Sequence, residues 1–159
     1  MTPEQLSALL LDLARGRGRE RAEQVARDLP DLPALLTELA GRGDPLPADL
    51  HRDDLELAMA DLLVAWCTDG PRLARAHRML APPPTRRIAL DALAELGRAD
   101  SVPALIALLA DPGLSDVDMI RVVSALGEIG GARARGALLA LSRRDLPAAV
   151  WRELRIALS

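Results

Sequence analysis

An all-α fold follows from three observations on this chain of 159 residues. Leu and Ala, two of the strongest helix formers, occupy 32 and 28 positions. The residues that favour strands are scarce, with no Phe, no Tyr and two Trp. Between Pro and Gly marks, the apolar residues recur at intervals of three and four, which places them on one face of a helix. The length suits one domain with a sizeable aliphatic core. A single cysteine, Cys67, allows no internal disulfide.

Each element has its own local reason. Thr2, Pro3 and Gln5 form a capped helix start, predicting a helix over 3–15 that Gly16 and Gly18 end. Helices over 19–29 and 32–40 follow, then a loop over 41–49 holding two Gly and two Pro. A helix over 52–68 carries Leu55, Met59, Leu62, Leu63 and Trp66 on one face, and another spans 71–81 until Pro82, Pro83 and Pro84 stop it. Downstream, helices are predicted over 85–97 and 115–129, each followed by a second helix. A last one spans 147–158.

The downstream half repeats. Residues 92–112 read ALAELGRADSVPALIALLADP and residues 125–145 read ALGEIGGARARGALLALSRRD, and they agree at nine of 21 positions when shifted by 33. The matches include Ala92 with Ala125, Leu93 with Leu126, Glu95 with Glu128 and Gly97 with Gly130. They continue at Ala104 with Ala137, Leu105 with Leu138 and Leu108 with Leu141. The paired glycines fall where a left-handed residue would end the first helix of each pair. A two-helix unit of this length with the motif A-L-x-E-[LI]-G resembles the bacterial HEAT-like repeats of the phycobilisome-lyase type. The resemblance implies a right-handed α-solenoid of antiparallel helix pairs in a single domain over 1–159. Within it, 3–15 is an N-terminal cap helix, 19–43 and 52–84 are degenerate units, 85–114 and 115–145 are clear repeats, and 147–158 is a terminal helix. Such repeats serve lyases, DNA glycosylases, di-iron hydroxylases and scaffolds alike, so they specify architecture rather than activity.

No catalytic set emerges from the residues. The di-iron hydroxylases of this architecture carry His-Glu pairs, whereas His51 and His77 are both followed by Arg, and with Cys67 they do not make a zinc set. Cys67 beside Trp66 reads as a small core residue. Asp53 with Asp54, and Asp116 with Asp118, fall at helix starts, where the helix dipole and free amides favour carboxylates. Ser115 with Asp118 reads as a variant capping box. The Arg-rich stretch from Arg15 to Arg21 has no aromatic residue to stack on bases and reads as a solvated linker. The expectation is a protein without catalytic residues, cofactor or metal.

The formal charge of −3 argues against bulk coating of nucleic acid or an anionic membrane. All 20 basic residues are Arg, a mark of GC-rich codon usage. No secretory signal core and no membrane-length apolar run is present, so the expected compartment is the cytoplasm. Charge is segregated, however. The stretch 52–69 carries Asp53, Asp54, Glu56, Asp61 and Asp69 against one Arg, whereas 71–81 carries Arg72, Arg75 and Arg78 with no acid. Likewise 131–144 carries Arg133, Arg135, Arg143 and Arg144 with no acid, and 102–110 has no charge at all. In HEAT-like solenoids the second helix of each pair lines the concave face, so the resemblance implies an Arg-bearing concave surface. The expected function is therefore a scaffold whose concave face, through Arg72, Arg75, Arg78, Arg133 and Arg135, takes an acidic segment of another protein. Alternatives are a bilin-lyase-like or other small-ligand accessory subunit, and nucleic-acid binding through the same Arg residues. Trp151, on a terminal helix expected to pack on 132–144, is a candidate interface residue that leaves open a homodimer through the C-terminal end.

Overall fold

The computed structural model describes residues 1–159 and is entirely helical. Ten α-helices follow one another: α1 (Pro3–Ala14), α2 (Arg19–Asp28), α3 (Leu32–Arg42), α4 (Arg52–Trp66) and α5 (Gly70–Arg78), then α6 (Pro83–Leu96), α7 (Val102–Leu109), α8 (Asp116–Ile129), α9 (Gly131–Leu141) and α10 (Ala148–Leu158). A single 3₁₀ turn, Ala99–Ser101, leads into α7. No helix is long and apolar enough to cross a membrane.

The helix starts obey their capping chemistry. Thr2 accepts the Gln5 amide at 3.2 Å while its own N–H donates to Gln5 Oε1 at 2.9 Å, a reciprocal capping box. Asp31, Asp69 and Ser115 each accept an N–H in the first turn of α3, α5 and α8. His51 is the N-cap of α4, where its N–H donates to Asp54 Oδ2 at 2.9 Å. Gly97 and Gly130 take φ of 61° and 70°, so both glycines matched by the repeat occupy the backbone region that excludes other residues.

Several ends differ from the sequence-based expectation. Helix α5 stops at Arg78, because Met79 and Leu80 turn back onto the carbonyls of Ala76 and His77. Helix α6 starts at Pro83 rather than after the proline run, since a proline in the first turn has no amide to lose. The Arg15–Arg21 stretch is also more than a solvated linker: Arg15 makes a bidentate pair with Asp49 at 2.7 and 3.0 Å, and Arg19 reaches Asp61 at 2.8 Å.

The chain divides into two compact units, Met1–Ala92 and Leu93–Ser159, with the division inside α6. In the first unit α4 is the central element, packed against α1, α2 and α3. Leu6 and Leu10 of α1, Ala22 and Ala26 of α2, Leu32 and Leu36 of α3, and Leu62, Leu63 and Trp66 of α4 are completely enclosed. Each Leu contributes about 1.5–3 kcal/mol through burial. In the second unit α8 is central, packed against α7, α9 and α10. Its core comprises Leu105, Val122, Val123, Leu126, Leu138, Val150 and Leu154. The terminal helix α10 packs chiefly on α8 and only secondarily on α9, contrary to the pairing with 132–144 expected from chain order. The reason is a close approach: a Cβ placed on Gly127 of α8 would lie 2.8 Å from the Cβ and 3.0 Å from the Cα of Ala157.

Candidate interaction surface

Helix α5 buries Leu73 and Ala76, turns Arg75 and Arg78 outward, and sets half-buried Arg72 at the edge of the buried face, one turn before Ala76. Their surroundings separate them. The guanidinium of Arg72 lies 5.2 Å from the ring centre of Trp66, and its Nη1 donates to the carbonyls of Arg27 at 3.0 Å and Trp66 at 3.1 Å. These carbonyls belong to the last turns of α2 and α4, where the helix dipole welcomes a cation. Trp66 itself is enclosed, and its indole N–H donates to Leu29 O at 2.8 Å. Arg72 therefore clasps the ends of α2, α4 and α5, and it is a structural residue first.

Arg75 donates to Pro30 O at 3.1 Å and stands 3.7 Å from Asp31, with about half of its side chain (48%) exposed. Arg78 is exposed. Together with Asp31, Pro33, Thr37, Met79 and Pro82 they line an open groove between α3 and α5. The groove has an apolar floor and two guanidiniums at its edge, and Asp31 is the carboxylate among its lining residues. Thr37 turns its hydroxyl back to Pro33 O at 2.8 Å, so it contributes a methyl to the groove.

Of the other predicted cations, Arg133 and Arg135 lie on α9, in the second unit. Both are exposed, and Arg135 donates to Leu158 O at 3.1 Å, across the C-terminal turn of α10. Trp151, on α10, keeps 36% of its surface exposed, so it does not seal the unit as a core residue would.

Sequence reasoning did not find the groove's α3 wall. Asp31 could be read as an N-cap before Leu32 and Pro33, but no local signal sets α3 beside α5. It also missed Arg86, a buried Arg that donates to Leu80 O at 2.8 Å and Ala81 O at 2.9 Å. Beside it, the Thr85 hydroxyl donates to Met79 O at 2.8 Å. No group of three or more His, Cys, Asp or Glu is placed to hold a metal ion. Cys67 is buried at the end of α4.

Residues 85–111 run from within α6 through its terminal Gly97 and past the end of α7. Residues 85–111 match the PBS lyase HEAT-like repeat. The chain carries a HEAT-like repeat. A serotype-specific mannosyltransferase of Escherichia coli, WbdA, is 29% identical over 122 residues, which is 70% of this chain and 14% of that protein. The chain thus corresponds to a small part of that relative. No solved structure matches it. Within the HEAT-like segment, Ile88, Ala89, Leu90, Ala92 and Leu93 are buried, while Glu95 is exposed.

Proposed function

We propose that this protein is a non-enzymatic interaction module, a right-handed HEAT-like solenoid that binds an acidic segment of a partner protein through its Arg-bearing helices. The observation that carries the reading is the groove between α3 and α5, where Arg75 and the exposed Arg78 border an apolar floor of Pro33, Met79 and Pro82. A carboxylate-bearing segment with one apolar anchor suits such a surface, because the cations steer encounter and the floor supplies burial. The HEAT-like repeat supports a scaffold of this kind, and the acidic segment is argued from the Arg residues alone. On this reading Arg75 and Arg78 are the contact residues of the groove and Arg133 is a separate contact in the second unit, while Arg72 and Arg135 spend their guanidiniums on helix ends. The buried Cys67 suits a reducing bacterial cytoplasm.

The test is affinity capture from the native host with the wild type and with Arg75→Glu/Arg78→Glu, read by mass spectrometry. A partner rich in Asp and Glu should be lost with the variant while helicity is retained. Equal capture of every partner by the variant refutes the reading. Steeply salt-dependent binding of nucleic acid by the same residues would replace it.

A further inference from the structure

The outward face of α10 is a second surface, separate from the α3–α5 groove and in the other unit. Val150 and Leu154 are buried and Ala157 backs onto Gly127, which fixes the inward face of the helix. The opposite face carries Trp151, Arg152, Arg155 and Ile156, all exposed, with Ile156 at 67%. At 100° per residue these four form one stripe, with Trp151 and Ile156 at its edges and the two Arg between them. Glu153, the acid of this helix, lies off the stripe and is half-buried.

We infer that this stripe docks an amphipathic helix of a partner protein whose central residues are carboxylates and whose flanking residues are apolar. Charge complementarity selects that occupant: two guanidiniums stand between two apolar side chains with no acid on the stripe. A second copy of this chain does not suit it, because pairing two α10 stripes about a two-fold axis would face Arg152 and Arg155 with their own counterparts.

The probe is a synthetic, fluorescently labelled helical peptide with two glutamates on one face, flanked by leucines. It is titrated with the full chain and read by anisotropy. The wild type should bind it, Arg21→Glu, at an exposed cation of α2, should bind equally, and Arg152→Glu/Arg155→Glu should weaken binding about tenfold or more, which is about 1.4 kcal/mol. Replacing both glutamates of the peptide by glutamine should weaken binding in the same way. No binding by the wild type, or equal binding by Arg152→Glu/Arg155→Glu with its circular dichroism unchanged, overturns the inference. So does loss of binding with Arg78→Glu alone, which would assign the peptide to the α3–α5 groove. A concentration-dependent dimer abolished by Ile156→Glu would give the stripe to a second copy. Displacement of the peptide by a single-stranded oligonucleotide would give it to nucleic acid, and either result overturns the proposal.

Discussion

Gly127→Ala should destabilise the protein although it adds a better helix former. In an open helix interior, Gly to Ala gains about 0.5–1 kcal/mol. At Gly127 the added methyl would stand 2.8 Å from the Cβ and 3.0 Å from the Cα of Ala157, against the roughly 3.5–4.0 Å at which carbon atoms attract. One of the two atoms is backbone, so no rotamer change relieves the clash and α10 itself has to shift. Overpacking of this kind costs about 1–3 kcal/mol, which leaves a net loss of up to about 2.5 kcal/mol. The matched control is Gly136→Ala on α9, where the new Cβ meets nothing within 4 Å and the side chain is exposed. It should gain about 0.5–1 kcal/mol. Urea unfolding followed by circular dichroism at 222 nm compares the two, with the midpoint falling for Gly127→Ala and rising for Gly136→Ala. If both variants raise the midpoint equally, the close approach of α8 and α10 is refuted.

Three further outcomes follow from side chains described above. Trp66→Phe leaves the buried Leu29 carbonyl without its indole donor and should cost about 1–3 kcal/mol in the same assay. Arg86→Met orphans the carbonyls of Leu80 and Ala81, at about 1–3 kcal/mol for each that water does not reach, and should lower the thermal midpoint. The exposed pairs act through pH: the Arg15 guanidinium holds Asp49 below its ordinary 3.8, and Arg42 holds Glu4 below its ordinary 4.5. Because both folded values lie below the unfolded ones, the stabilisation is complete above the ordinary values and is lost as pH falls through the depressed ones. Carboxyl carbon NMR should therefore show Asp49 titrating below 3.8 in the wild type and returning toward it in Arg15→Gln.

What was legible in the sequence was what depends on neighbours along the chain. Thr2, Ser115, Gly97 and Gly130 each announce a helix end through a bond or dihedral set within a few residues, and each does so in the structure. The candidate surface was legible only as charge. That Arg72 flanks the buried side of α5, one turn before Ala76, follows from its spacing, but that its guanidinium closes on Arg27 O does not, because that carbonyl is 45 residues away. Gly127 looked like a variable position inside a repeat motif. Its meaning lies in Ala157, on a helix whose docking on α8 rather than α9 no local pattern specifies.

The scarcity of aromatic side chains gives the molecule a built-in pair of optical reporters. With no Tyr and no Phe, all near-ultraviolet absorption and emission come from Trp66 and Trp151, and these lie in different compact units. Trp66, enclosed and hydrogen-bonded, should emit toward the blue, while the partly exposed Trp151 should emit further to the red and be reached by iodide or acrylamide. Each single-Trp variant, Trp66→Phe or Trp151→Phe, would then report one unit by fluorescence while circular dichroism at 222 nm reports the whole chain in the same sample, and the two midpoints are compared within that sample. Coincident midpoints would mean that the helix crossing the division, α6, couples the two units into one cooperative transition. Separated midpoints would mean that the chain melts in two steps, with a partly folded species between them.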